Sequence, residues 1–253
     1  MSLRRALGDD RARLRRQLHA ELDLDAVGLQ RPFPEHPQRG LGGGAHALQG
    51  ALEGAGRLHR PVAAGHQPGT GPPLRARFDS FAIVDAYRAT AVAHGTPVPP
   101  QFGRLVSRAR RIRELLTGPE HTPVPCHNDL LNANFIHDGE RVRIVDWEYA
   151  GMGDRFFDLG NLSVNNGFSD GDDEALLAAY FGEPCTDRRF AALRLMRIMS
   201  DFREGMWGVV QRGISELDFD FAAYADEHLT RVGAAMDDPR FETWLEAARG
   251  AEP

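Results

Sequence analysis

From Phe78 onward the apolar residues of this chain fall at helical and strand spacings, whereas the first 75 positions show almost none of this order. "FDSFAIVDAYRATAVAHG" carries apolar side chains at three- and four-residue steps and stops at Gly95, which predicts an amphipathic helix. "FGRLVSRARRIRELLTG" repeats the pattern, with Gly118 as the expected C-cap. "TPVPCH", "NFIHDG" and "RVRIVDW" then read as short strands, with "HDGE" as a hairpin turn between the last two. Helices follow near 155–164, in "DDEALLAAYFG", over 187–212, over 219–235 and around "PRFETWLEAARG". In the longest, Phe190, Leu193, Met196, Met199, Phe202, Met206 and Val210 recur at three- and four-residue steps and mark a buried stripe. A helix pair, a small β-hairpin element and a run of helices predict an α+β, mostly helical lobe.

The text before residue 76 is of another kind. Its only β-branched residues are Val27, Val62 and Thr70, and its only aromatic is Phe33, so a sheet there is not expected. "RPFPEHPQRGLGGGAHALQG" and "RPVAAGHQPGTGPPLR" are rich in glycine, proline and histidine, a composition that resists packing. A charged helix over 3–24 and a weak alanine-rich one over 45–60 are the only elements its pattern supports. The expected organisation is a low-complexity, poorly ordered segment over 1–75 and a patterned lobe over 76–253.

Composition narrows the classes. A length of 253 residues with 42% hydrophobic residues suffices to bury a substantial core. A net charge of −6 gives nucleic-acid binding little electrostatic support. There is neither a membrane-length apolar run nor a signal-peptide core at the N-terminus, and Cys126 and Cys185 do not make a disulfide framework; a cytoplasmic, non-membrane protein is expected. All 30 basic residues are arginine, so no step that needs a lysine ammonium is open to this chain.

The chemistry concentrates in "CHNDLLNANF". His127, Asp129 and Asn134 fit the spacing H-x-D-x-x-x-x-N, and a dozen residues later the apolar strand "RVRIVDW" ends in Asp146. An aspartate on such a loop can accept the proton of an attacking hydroxyl, while an amide oxygen and a second carboxylate can hold Mg2+, a hard cation that prefers oxygen. Each residue alone is ordinary: an H-x-D is common, and Asn134 or Asp146 could serve a turn or a helix cap. Their order on a loop–hairpin frame favours phosphoryl transfer, which needs mostly positioning and charge neutralisation. His127 is assigned to orient this catalytic loop rather than to touch substrate.

"HNDLLNANFIHDGERVRIVDWEYAGMGDRFFDLGNL" resembles the catalytic half of the aminoglycoside phosphotransferase and choline/ethanolamine kinase superfamily. The resemblance implies a protein-kinase-like C-terminal lobe that transfers the γ-phosphate of ATP to a small-molecule alcohol. It implies Asp129 as base, Asn134 and Asp146 as Mg2+ ligands, and Asp158 as the brace of the loop. "DWEYAG" is nearer the choline and ethanolamine kinases, and by that likeness Tyr149 and Trp207 would enclose an ammonium group through cation–π contact. Core packing beside Met206 explains Trp207 equally well. Two departures stand out: Glu204 where choline kinases carry a second tryptophan, and Asn165 where they carry an acid. Glu204 would attract a cation directly, and Glu148 adds to a crowd of carboxylates (with Asp129, Asp146, Asp154 and Asp158) that suits a metal and a cationic substrate. The family's N-terminal lobe, with its nucleotide-gripping lysine, is not recognisable in 1–75, and the abrupt change near Leu74 is also what a frame error in the gene would produce. A non-catalytic, pseudokinase-like module that binds a cationic small molecule is therefore the alternative.

Overall fold

A computed structural model describes residues 76–137 and 142–249. The helices read over 3–24 and 45–60, and the hairpin turn from residue 138, lie outside the described residues. Among the described residues, seven α-helices and four three-residue strands follow in chain order: α1 (Ser80–Ala93), α2 (Phe102–Leu115), β1 (Val124–Cys126), β2 (Phe135–His137), β3 (Val142–Ile144), β4 (Gly151–Gly153), α3 (Arg155–Asn166), α4 (Asp170–Phe181), α5 (Asp187–Ile214), α6 (Phe221–Asp237) and α7 (Arg240–Arg249).

Local chemistry sets the helix ends. Asp79 starts α1 by accepting hydrogen bonds from the backbone of Phe81 and Ala82 at 3.0 and 3.1 Å. Gly95, where the sequence pattern ends, follows the C-cap His94 in the left-handed conformation at φ +69°. Asp154 caps α3, a Ser169–Asp172 capping box starts α4, and Thr186 caps α5. α2 differs from expectation. It stops at Leu115, before Gly118, which instead leads into a 3-10 turn over Pro119–His121.

Helix α5 is the spine, packed against α1, α3, α6 and α7. Of its expected stripe, Leu193, Met196, Met199, Phe202, Met206 and Val210 are buried, and Phe190 at the N-terminal end is half-buried. Removing one such side chain from water is worth about 1.5–3 kcal/mol. Close approach of the backbones depends on glycine at one crossing in particular. A methyl group on Gly160 of α3 would lie 2.7 Å from the Arg197 backbone nitrogen and 2.8 Å from the Met196 carbonyl carbon.

The β element comprises two antiparallel pairs. β2 and β3 form the predicted hairpin, with Phe135 opposite Ile144 and His137 opposite Val142. β1 pairs with β4, Val124 opposite Gly153 and Cys126 opposite Gly151. Sequence reading missed β4 because "GMG" has neither alternation nor β-branching. Its glycines have a steric reason. A Cβ at Gly151 would sit 3.1 Å from the Ala76 carbonyl oxygen, and one at Gly153 would sit 3.2 Å from Asn128 Oδ1. Residues 76–78 run alongside β4, with Met152 donating to Ala76 O at 2.8 Å and Phe78 donating to Met152 O at 3.0 Å. Among the described residues no helix is long and apolar enough to cross a membrane.

The α3–α5 contact yields a paired prediction. Gly160→Ala overpacks two backbones and should lower stability by about 2 kcal/mol. Gly103→Ala, in α2 with nothing within 4 Å of the added methyl, should raise it by about 0.5–1 kcal/mol. Thermal or urea melts of the two variants check both signs.

Candidate active site

The chain between β1 and β2 carries His127, Asn128 and Asp129, all buried, and its backbone is held from several sides. Asp158, on the first turn of α3, accepts hydrogen bonds from the backbone N–H of His127 at 2.7 Å and of Asn128 at 2.6 Å. Each carboxylate oxygen takes one donor, and charge-assisted bonds of this kind are roughly twice as strong as neutral ones. One turn further along α3, Asn161 Oδ1 accepts from the Leu130 N–H at 2.5 Å, and its Nδ2 donates to Ser200 Oγ of α5 at 2.9 Å. The N–H of Asp129 donates to His127 Nδ1 at 3.3 Å, while the other ring nitrogen of His127 lies 3.0 Å from the Val145 carbonyl oxygen. These partners assign the proton to Nε2 and leave Nδ1 as the acceptor.

Two described non-glycine residues have positive φ, Asn128 at 66° and Asp146 at 65°, and both belong to this site. Asn and Asp tolerate the left-handed region better than other side chains. Asn128 is further secured by its side-chain amide, which donates to Tyr149 O at 2.9 Å and Cys126 O at 3.3 Å. The segment after β3 is thus fastened to the loop by both His127 and Asn128.

Asn134 ends a 3-10 turn, and its Nδ2 donates to Asp129 O at 2.8 Å and to Asp129 Oδ2 at 3.3 Å. The Val145 N–H donates to the Asn134 carbonyl at 3.0 Å, so Asp146 follows one residue after this contact. Asp129, Asn134 and Val145 are therefore joined by hydrogen bonds, with Asp146 next to Val145 in the chain. The donor set suits Mg2+. The amide nitrogen of Asn134 is turned to Asp129, which leaves its oxygen as the group for a cation, and Asp146 offers a carboxylate two residues beyond the end of β3. Mg2+ takes one or two carboxylate or amide ligands and completes its shell with water and phosphate. Among the described residues no cluster of three or more His, Cys, Asp or Glu forms a metal cage.

The remaining predicted residues lie on the segment after β3 and on α5. Tyr149 is buried, Glu148 is half-buried, and Trp147 between β3 and Tyr149 packs edge-on to His127 with ring centres 4.7 Å apart. Trp207 is buried on α5 and packs edge-on to Phe221 and Tyr224 of α6, with ring centres 5.8 and 5.7 Å away. Its ring belongs to the core and packs within an aromatic cluster between α5 and α6. Glu204 is buried, with Oε1 bonded to Arg203 and Oε2 accepting from Tyr224 Oη at 2.6 Å.

Sequence reading missed Asn128, Asn161, Ser200, Arg203 and Tyr224. Asn161 had a usable signal, since it stands three residues after Asp158 and so shares its helix face. Arg203 did not, because an arginine inside an apolar stripe reads as a solvated position.

A family model described as "Phosphotransferase enzyme family" matches residues 4–194. Mouse ethanolamine kinase 1 is 32% identical over 139 aligned positions, covering 45% of this chain and 38% of that protein. The chain thus matches well under half the length of that relative. Among solved structures, a choline/ethanolamine kinase family protein from Mesorhizobium loti is 33% identical with a TM-score of 0.70, covering 80% of this chain and 66% of that one. The choline kinase LicA from Streptococcus pneumoniae is 17% identical with a TM-score of 0.60, covering 87% and 79%, a likeness of fold. The α+β, protein-kinase-like lobe expected from the sequence is the fold that these likenesses support.

The brace makes a measurable claim. Asp158→Asn replaces one acceptor oxygen with a donor facing a backbone N–H and should cost about 3 kcal/mol. Amide exchange at His127 and Asn128 should accelerate about 100-fold; protection equal to that of the unaltered chain would show that the loop is held by other means.

Proposed function

The chain belongs to the phosphotransferase enzyme family, and we propose that it transfers the γ-phosphate of ATP to the hydroxyl of a small, cationic alcohol of the choline, ethanolamine or aminoglycoside kind. The observation that carries this reading is the Asp129–Asn134 contact at 3.3 Å. It sets a carboxylate able to take a proton beside an amide able to present its oxygen to a metal, on a loop whose backbone is pinned at His127, Asn128, Asp129 and Leu130.

In this reading Asp129 receives the proton of the acceptor hydroxyl as the oxygen attacks phosphorus. Such a base contributes 10²–10⁴-fold. Its orientation comes from Asn134 on one oxygen and from Arg203 Nη2, 3.1 Å from the other. His127 and Asp158 keep the loop in register and touch no substrate. Asn134 and Asp146 would hold Mg2+, which supplies neutralisation of the phosphate charge when bound. Glu148, Tyr149, Glu204 and Trp207 are the groups suited to an ammonium-bearing acceptor, through carboxylate charge and aromatic faces. The similarity to proteins named as ethanolamine and choline kinases supports a cationic acceptor.

A second reading, a binding module without catalysis, is favoured by one observation: the chain has no lysine with which to grip nucleotide phosphates, and arginine is not an equivalent substitute. Titration calorimetry with MgATP separates the two. The kinase reading expects saturable binding and ADP release with choline or ethanolamine. Asp129→Asn should reduce that release about 1,000-fold or more while the protein stays folded. Turnover retained by this variant would remove Asp129 as base, and absence of MgATP binding in the unaltered chain would leave the binding module.

A further inference from the structure

Helix α5 reaches the candidate loop at two points one turn apart. Ser200 meets it through Asn161, and Arg203 meets it directly at Asp129. Arg203 is 2% exposed and sits among Asp129, Glu204 and the rings of Tyr149 and Phe157, whose centres lie 5.7 and 5.9 Å from its guanidinium carbon. Burial works against its charge, yet Glu204 and then Asp129 hold it protonated, with the pKa raised above the ordinary arginine value.

The hydrogen bonds are distributed unusually. One nitrogen, Nη2, donates both to Asp129 Oδ1 at 3.1 Å and to Glu204 Oε1, while Nε has no partner among the described residues. A guanidinium placed for stability alone would lay Nε and Nη2 side-on against one carboxylate, the stronger arrangement. Three charges buried together are also commonly no more stabilising than apolar side chains of the same volume. The geometry instead uses one arginine to tie two carboxylates that belong to different parts of the molecule. Asp129 lies on the loop. Glu204 is tied to Tyr224, whose ring packs against Trp207.

We infer that Arg203 is a positioning residue of the phosphoryl-transfer site: a buried bridge through which Glu204 and Tyr224, at the aromatic end, fix the orientation of Asp129. The inference rests on the reading of Asp129 as base. An acceptor that settles against Tyr224 and Trp207 steadies Glu204, hence Arg203, hence the carboxylate that takes its proton. Filling the aromatic end therefore raises kcat as well as affinity. The arginine adds no bond to the reacting atoms. Its contribution is the angle at which Asp129 waits, and small misplacement of such a group costs on the order of 100-fold.

The test uses the full chain with MgATP and choline or ethanolamine as acceptor. Arg203→Met removes the bridge while keeping bulk; it should lower kcat about 100-fold per folded molecule, with KM for MgATP within about 2-fold of the unaltered enzyme. Arg203→Lys keeps one charge but cannot span both carboxylates, and should recover about a tenth of the lost rate. A kcat per folded molecule within about 3-fold of the unaltered enzyme in Arg203→Met would overturn the proposal and leave a purely structural ion pair. Should Arg203→Met fail to fold, melting of Asp129→Asn, Glu204→Gln and the double variant decides. A bridge makes the double variant melt about 3 °C or more below the sum of the single shifts, because a buried arginine is left without either carboxylate; additive shifts overturn it. An unaltered chain that turns over neither of these acceptors nor an aminoglycoside defeats the phosphotransferase reading first, and the positioning role with it. That outcome differs from an active enzyme indifferent to Arg203.

Discussion

The acceptance of two backbone N–H groups by the Asp158 carboxylate is the constraint on which the rest of the site depends. The segment over 127–131 lies inside the protein without regular secondary structure, so its backbone donors have no ladder to join. A buried donor without an acceptor costs about 1–3 kcal/mol, and here four in succession need one. Asp158 takes those of His127 and Asn128, His127 takes that of Asp129, and Asn161 takes that of Leu130. Three of the four acceptors stand on one face of α3 or depend on it. The helix in turn is seated on α5 through a crossing that tolerates only hydrogen at Gly160. Thus a steric requirement in the core reaches the loop through one helix.

Helix α5 serves two environments at once. Its stripe of Leu193, Met196, Met199, Phe202, Met206 and Val210 is apolar and buried, as a spine requires. Ser200, Arg203, Glu204 and Gln211 are just as buried and contribute no hydrophobic free energy. Desolvating a charged side chain costs several kcal/mol, so these positions are tolerable only because the apolar residues around them supply the surplus. Asp201 follows the same logic on another face, where it accepts hydrogen bonds from Arg231 and lies 2.8 Å from His228 Nδ1 of α6. A long helix with 19 buried residues has apolar surface enough to carry such polar positions without loss of the fold.

Much of this architecture was legible in the sequence, for physical reasons that also mark the limits. Helices α1, α3, α4, α5, α6 and α7 announce themselves through periodicity and caps, because burial on one face and satisfaction of end groups are local demands. The hairpin of β2 and β3 was readable in the same way. β4 was not: a strand selected for the absence of side chains, so that Ala76, Phe78 and Asn128 can approach, leaves no hydrophobic signature. At the site, the spacing of His127, Asp129 and Asn134 marked the loop, and the structure brings Asp129 and Asn134 into contact. Arg203 and Tyr224 were invisible because their partners are 74 and 20 residues away. Pairing across such distances is a property of the packed fold and not of any window of sequence. For Trp207 the packing bears out the core half of the expectation, a buried ring beside Phe221 and Tyr224.

The two left-handed residues complete the argument. A non-glycine side chain at positive φ costs of order 1–3 kcal/mol and persists only where the surroundings over-determine it. At Asn128 the surroundings are visible, with Asp158 on its N–H and the Tyr149 and Cys126 carbonyls on its amide. At Asp146 the preceding residue is clamped on both sides, Val145 donating to Asn134 and accepting from His127. The strained turns are thus cross-linked to each other: His127 reaches from the first to the carbonyl before the second, and Asn128 to the carbonyl three residues after it. Two segments 18 residues apart in sequence are tied together, one carrying Asp129 and the other Asp146. The backbone on which each aspartate stands is held by hydrogen bonds of its neighbours, Asn128 before Asp129 and Val145 before Asp146.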